Sequence, residues 1–429
     1  MREMKDSGIA WIGAMPRAWK MNTIAQIFLQ VKCKNTGLQE KNLLSLSYGK
    51  VKRKSIDTVE GLLPESFDGY NIIEKDDIVL RLTDLQNDHT SLRVGLAEER
   101  GIITSAYLTI RNRSNFCPKY LYYYLHSFDI AKGFYGMGAG VRQGLNWDGV
   151  KWLKILAPSV PEQERIAAFL DAECAEIDAV LEKTRASIEE YKKLKQAVIT
   201  QAVTKGIRGD RPMKNSGIEW IGEIPAGVPI SRVGLHFDIV LGKMLCSAPV
   251  DDNYTLESYY CAADVHFEGL SNGEKKKMWF SPDEKEQYCV KNGDLLVVEG
   301  GAGAGGCAIA VSTDVPIYIQ NSIMIVRSKG ISNIRYLRYL LECLVKKGYI
   351  DVVCNKATIP HFTKDKLANV PFIVFSQSEQ EEIAEYLNEK CAGIDALIVK
   401  KQQYLTEIEN YKKSLIYEYV TGKKEVLPL

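Results

Sequence analysis

The sequence predicts an α+β protein: two related mixed sheet-and-helix domains separated by a long two-helix coiled coil. Three observations lead there. First, Glu162 to Thr204 contains neither proline nor glycine, and apolar or small residues return along it at steps of three and four, which marks one helix face. A single helix of 40-odd residues would be roughly 60 Å long, far beyond an ordinary globular helix. Second, sliding the sequence by 217 positions lays Glu379–Ala396 on Glu162–Ala179 with eleven identities in eighteen positions. Third, Met213–Pro225 repeats Met4–Pro16 with nine identities in thirteen. The chain is therefore an internal repeat whose halves begin and end alike. Its domains are read as 1–160, the first mixed domain; 161–212, a long helix and linker; 213–377, the second mixed domain; and 378–429, a second long helix.

Each element has its own warrant. The opening motif carries Trp11 and Ile12, or Trp220 and Ile221, to pin a short loop on an apolar surface, with Gly13, Gly222 and prolines turning the chain; it reads as a structural clip. From Asn22 to about Ala157 the pattern is short β-like runs. Asp76-Asp77 before Ile78-Val79-Leu80, and Gly293-Asp294 before Leu295–Val298, each look like a turn feeding a strand. Further strand-like runs stand at Ala106–Ile110 and Ile323–Val326, while Lys119–Phe128 and Ile334–Lys346 read as amphipathic helices. Lys205–Pro212 is a hinge or turn.

The long segments share one seam. On the first it runs through Ile166, Leu170, Cys174, Ile177, Leu181, Ile188, Tyr191, Leu194, Val198 and Ala202. On the second it runs through Ile383, Leu387, Cys391, Ile394, Ile398, Leu405, Ile408, Tyr411, Leu415 and Tyr419. The spacing averages near 3.5, the period of a coiled coil, so each rod is expected to pack on the other. Thr184, with Lys401 at the equivalent place, is a polar position on the stripe suited to fixing register.

Composition narrows the function classes. With 429 residues, 46% hydrophobic and 25% charged, the chain can build two or three domains. No run approaches the ~18 apolar residues of a membrane helix, and the N-terminus is charged where a signal peptide would be apolar; the expected location is the cytoplasm. Ten cysteines without a C-x-x-C pair read as reduced thiols rather than bridges or metal ligands. A net charge of +1 means that any grip on nucleic acid must use local clusters or charges on a partner.

Motifs for catalysis fail on context. Gly301, Gly303 and Gly306 satisfy G-x-G-x-x-G, but Cys307–Val311 continues as a strand instead of opening the anion-binding helix. Phe134, Gly136 and Gly138 mimic a methyl-donor loop, yet the chain has no Pro-Pro pair to complete an amino-methyltransferase segment, and no Walker loop occurs. Pro282-Asp283-Glu284-Lys285 has nuclease-like letters of a kind found on any solvated turn. Histidines 89, 126, 236, 266 and 361 fall in no metal or acid–base spacing. No catalytic or metal residue is expected. What remains is a set of basic and amide-rich loops recurring in both halves. Lys50, Lys52, Arg53 and Lys54, and Lys275, Lys276 and Lys277, suit phosphates; Arg142, Gln143 and Asn146, and Asn355, Lys356, Thr358 and His361, suit base edges.

This arrangement resembles the specificity subunit of a type I restriction-modification enzyme. The residues carrying the likeness are Ser7-Gly8-Ile9, Trp11-Ile12-Gly13 and Pro16 with their copy at Ser216–Pro225, the two Glu-Gln-Glu helix openings, and the endings Ala202-Val203-Thr204 and Tyr419-Val420-Thr421-Gly422. Two departures stand out: Val228 replaces the tryptophan found at Trp19, and Lys205 interrupts the first Val-Thr-Gly ending. The resemblance implies two target recognition domains held apart by an antiparallel helix pair in a pseudo-twofold molecule. Each domain would read one half of a split DNA target, and the helices would set the gap. It further implies docking of two methyltransferase and two translocating endonuclease subunits, with S-adenosylmethionine, ATP and magnesium belonging to those partners. Two rivals are weighed against it: a coiled-coil scaffold that does not touch DNA, and a self-contained methyltransferase or nuclease.

Overall fold

The computed structural model describes residues 2–54, 66–88, 90–137, 144–354 and 360–427. It is a mixed α+β chain of two compact units, Met1–Arg185 with Gln402–Leu429, and Ala186–Lys401. The division falls inside the two long helices, so each unit holds part of both.

In the first unit, β1 (Phe28–Gln30), β2 (Ile78–Leu80), β3 (Val94–Leu96) and β4 (Leu108–Asn112) form an antiparallel sheet in the order β1-β4-β2-β3. Leu108 lies opposite Leu80, and Val79 opposite Gly95. Asp76 takes a left-handed conformation at φ +70 and turns the chain into β2. Beside it Asp77 is buried against the fork of Arg111, both bonds 2.7 Å, a bidentate pair that ties the lead into β2 to its central neighbour β4. Helix α1 (Pro118–Ile130) covers the sheet with buried Tyr120, Leu121, Tyr124 and Leu125. The opening motif is a two-stranded hairpin, Met4–Asp6 on Ala14–Pro16. Its Trp11 packs edge-on against Tyr124 and Phe128 at 5.4 and 5.2 Å, and Ile12 is fully buried.

The long helix α2 spans Val160–Lys205. In the second unit β5 (Phe237–Leu241), β6 (Leu295–Val298), β7 (Cys307–Ile309) and β8 (Ile323–Ser328) repeat the order β5-β8-β6-β7. Gly293, at φ +87, stands where Asp76 stood; Asp294 and Arg327 repeat the fork at 2.8 and 2.7 Å. Helix α3 (Ile334–Lys346) covers this sheet. Met213–Asn215 pairs with Glu223–Pro225, and Trp220 packs on Tyr349 at 4.9 Å. The second long helix, α4, spans Gln377–Val420.

Within the first unit the long helices run antiparallel, because contacts climb one as they descend the other: Phe169 on Tyr419, Asp178 to Lys412 at 2.6 Å, Arg185 to Glu409 at 2.5 Å. The second unit has its own pairing, Lys195 to Asp395 at 2.7 Å and Lys401 over the Tyr191 ring at 5.6 Å. Ile166, Leu170, Cys174, Leu181, Ile188, Leu387, Cys391 and Ile394 are buried; Ile177, Ile398 and Leu405 are half-buried. The seam departs from expectation at two places. Leu194 and Tyr411, 217 apart, are exposed, and burial passes instead to Ile199 and Ile416, also 217 apart. A stripe of period 3.5 drifts about 20° per heptad on a straight helix, and near these ends the helices face the sheet domains. Thr184 is buried, but its hydroxyl donates to Val180 O of its own helix at 2.8 Å, so it satisfies itself rather than reaching across.

Both helix ends are glycine by geometry. Gly206 and Gly422 sit at φ +75 and +74, the left-handed cap that glycine adopts without strain. A Cβ on Gly422 would meet Pro16 at 2.4 Å, and one on Gly206 would meet Arg211 at 2.2 Å. Lys205 adds one helical residue before the first of these caps.

Candidate nucleic-acid interface

The side chains that hold each unit together come from the repeated segments. Gln163, fully buried, accepts from Cys117 N at 3.0 Å and donates to Pro158 O at 2.9 Å. Gln380 does the same with Asn333 N and Phe375 O, both at 2.8 Å. Tyr120 donates to Leu156 O and Val420 O, and Tyr336 to Ile373 O and Val203 O. At the helix openings, Glu162 takes Trp19 Nε1 at 3.1 Å and Arg2 at 2.5 Å. In the second unit, where Val228 replaces the tryptophan, Glu379 retains the arginine, Arg211 at 2.6 Å.

On this common frame each unit carries one composite edge. In the first, Leu145 N donates to Leu82 O at 2.8 Å, tying the segment before α2 to the β2–β3 connection, Arg81–Arg93. In the second, Phe362 N donates to Glu299 O at 2.6 Å, tying the segment before α4 to the β6–β7 connection, Glu299–Gly306. Both members of these two bonds are 217 residues apart. The chemistry of the two edges is unlike. The first connection is long and polar, and its core is Arg93, 0% exposed. That guanidinium donates to the carbonyls of Arg81, Thr83, Asp84 and Asp88 and to the Tyr135 hydroxyl. The second is glycine-rich, turning through Gly301 and Gly305 at φ +89 and +81; Gly300 bridges His361, whose Nδ1 stands 3.3 Å from Glu299 Oε2.

The sequence-nominated residues fall in several places. Lys50, Lys52 and Arg53 lie on a hairpin, Leu44–Ser47 against Lys50–Arg53, with Lys54 just beyond. Its outward face is Ser45, Ser47, Lys50 and Lys52, and its tip, Tyr48, is 90% exposed. Lys50 stands 4.0 Å from Asp178 and Arg53 forks onto Glu99, a pairing that raises the arginine further. Lys276 and Lys277 are exposed on the strand Lys276–Phe280. Lys275 is turned inward: its ammonium donates to Asp264, to Ser271 O and Oγ, and to Gly273 O, which takes it out of the phosphate-facing set. Asn146 caps the short helix Trp147–Val150, accepting from Gly149 N at 3.1 Å. Arg142, Gln143, Asn355, Lys356 and Thr358 lie outside the described residues. Reading by repeat missed Arg93, because Gly306 holds the corresponding place ahead of β7; a lone arginine in an apolar run was the available signal.

The motifs set aside on context have structural places. The Gly301–Gly306 stretch links two antiparallel strands, and Phe134 is core, packed on Phe128 at 4.8 Å. Pro282–Lys285 opens a helix capped by Ser281, where Glu284 also pairs with Lys243. His126 is buried beside Lys412, and burial pushes its pKa down to about 4. Among the described residues no cluster of three or more histidine, cysteine or acidic side chains could hold a metal ion, all ten cysteines are free, and no helix is long and apolar enough to cross a membrane.

Comparison with known proteins places this geometry. Residues 268–407, about a third of the chain, match the family described as the type I restriction modification DNA specificity domain. No curated protein matches. Among solved structures, a chain from work titled as the structural basis of complex assembly and conformational transition of the type I R-M system aligns over 96% of this chain and 99% of its own, with a TM-score of 0.72 at 17% identity. The HsdS subunit from Thermoanaerobacter tengcongensis aligns over 96% and 98%, with a TM-score of 0.54 at 16% identity.

Proposed function

We propose that this chain is the DNA sequence-specificity subunit of a type I restriction-modification complex, each unit reading one half of a split, asymmetric target. The observation that carries the reading is the pair of composite edges: one frame, held by the same buried glutamine, tyrosine and aspartate–arginine bonds, presents unlike loops at the same place. A repeated frame suits two approaches to one duplex, and unlike loops make the half-sites unlike. The family match over 268–407 and the shared fold support it.

In this reading the long helices form an antiparallel coiled coil that spaces the two readers and docks two methyltransferase subunits, and through them two endonuclease-translocase subunits. The chain itself supplies recognition and no catalytic group. S-adenosylmethionine, ATP and magnesium belong to the partners, and the complex works in the cytoplasm. Exposed lysines at positions 50, 52, 276 and 277 would give phosphate contacts; their loss should weaken binding evenly across sequences.

The test is to expose DNA to the full chain with its methyltransferase partner and map the methylated motif by sequencing. A bipartite motif with a fixed gap, and affinity that falls steeply with salt, is expected. Assembly without sequence preference would make the chain a scaffold, and methylation or cleavage by the chain alone would make it an enzyme.

A further inference from the structure

The geometry points to Arg81–Asp88, the first part of the β2–β3 connection of the first unit, as a preorganised base-reading arch, with Gln86 and Asn87 as its specificity-determining side chains. The inference rests on the proposed DNA-reading function and names where one half-site is read. Three observations converge. The arch is rigid from within: Arg93, fully enclosed, holds the carbonyls of four arch residues, Tyr135 joins it to Asp88 O at 3.1 Å, and Leu85 is buried at its centre. Its charges are paired internally: Arg81 stands 3.7 Å from Asp88. Asp88 accepts from Thr90 N and Ser91 N, and Asp84 accepts Asn87 Nδ2 at 2.8 Å. The exposed side chains of the arch are neutral, Thr83, Gln86 and Asn87, while Arg81, Asp84 and Asp88 are half-buried.

These properties select the ligand surface. An arch with Arg93 enclosed, Arg81 paired with Asp88 and its carboxylates engaged is poorly suited to a phosphate, whereas carboxamides offer a donor and an acceptor side by side. That pair matches the N7 and amino group of adenine in the major groove. One hydrogen of Asn87 Nδ2 goes to Asp84, which orients the amide and leaves its oxygen as an acceptor suited to an exocyclic amino group, with one N–H still to give; Gln86 can likewise bond in both senses. A rigid arch also reads at lower entropic cost than a flexible loop. The second unit's connection, Glu299–Gly306, offers no such side chain beyond its glutamate, so the proposal concerns one half-site.

The experiment uses the full chain in complex with its methyltransferase partner and sequences the methylated products of a randomised target. Replacing both amides, Gln86→Ala with Asn87→Ala, should relax discrimination at one or two base positions of a single half-site, by roughly 10- to 100-fold per lost pairing. The other half-site and the gap should stay unchanged. Gln86→Glu keeps the shape and removes the donor, so preference at its position should move from adenine toward cytosine, whose amino group a carboxylate accepts. A double variant that keeps the parental motif at full discrimination overturns the proposal while leaving the specificity-subunit reading intact. Loss of assembly with the motif unchanged would make the arch a protein contact and overturn it equally. If the unaltered complex showed no sequence preference, both readings would fall.

Discussion

Arg93 shows how much a single buried side chain can decide. Replacing it by methionine keeps the stem but strips donors from several enclosed carbonyls, and each buried group left unpaired costs about 1–3 kcal/mol. Arg93→Met is expected to lower stability by at least about 3 kcal/mol in urea unfolding; a loss below about 1 kcal/mol would mean that water replaces the guanidinium. Gln163→Ala and Gln380→Ala each orphan a backbone N–H and a carbonyl, for about 1–3 kcal/mol apiece. Because the two staples lie in different units and bond to different residues, the double variant should be additive to within about 0.5 kcal/mol. His126 sets a pH limb. Burial, then the nearby Lys412, hold its pKa near 4, with Asp178 opposing. A depressed folded pKa means that its contribution is present above the unfolded value of about 6.5 and is lost as pH falls toward 4, up to about 3 kcal/mol. His126→Gln should flatten stability over that window, and an unchanged acid limb would place the titrating group elsewhere. Some of this was legible in the sequence and some was not. The Glu-Gln-Glu repeat marked Gln163 and Gln380, yet their bonds were hidden because each is made to a backbone N–H, at Cys117 and Asn333, which needs no particular side chain. Arg93 had no counterpart across the repeat, so self-comparison passed over it.

At the scale of elements, the seam tests the helix pair. Leu181 is buried while Ile398 is half-exposed, so the same substitution should not cost the same. Leu181→Asp buries a carboxylate without a partner and should lower the thermal midpoint strongly, whereas Ile398→Asp can turn its charge toward water and should lower it less. Equal shifts would contradict the burial pattern. Apolar spacing made these helices the most readable part of the chain, since a period near 3.5 sustained over many turns is the mark of a helix packed along its length on another. It failed at Leu194 and Tyr411, where the partner surface changes from helix to sheet domain and no local pattern records the change. The sheets were harder: β2 and β6 stood out by the aspartate turns that lead into them, but the strand order 1-4-2-3 depends on pairings far apart in sequence. The basic clusters were legible only as composition. Lys275 and Lys276 are neighbours, and only their surroundings separate an ammonium saturated by Asp264 and Ser271 from one facing water.

For the molecule as a whole, the proposed function makes modularity and spacing the decisive properties. Exchanging residues 20–157 for the matching segment of another such subunit should change one half of the methylated motif and leave the other, because Lys20–Thr23 and Lys154–Ala157 pair with each other and the excised piece closes on itself. A change in both halves would mean that the frame, not the domain, carries readout. The ruler role needs a more careful cut than the helix end suggests. Adding a turn at Ala202–Lys205 would pull apart a packed region, since Ala202 and Val203 are buried and Val203 O receives the Tyr336 hydroxyl. A matched insertion belongs where both rods are exposed, near Lys192 on α2 and Lys400 on α4. These positions face one another within the second unit, by the register that sets Lys401 over Tyr191 and pairs Lys195 with Asp395. One extra turn in each rod adds about 5.4 Å, against about 3.4 Å per base pair of duplex, so the gap should grow by one or two base pairs with both half-sites preserved. Motif sequencing of the lengthened complex reads this directly, and a gap that stays fixed while the variant still methylates would show that something other than the helix pair sets the distance.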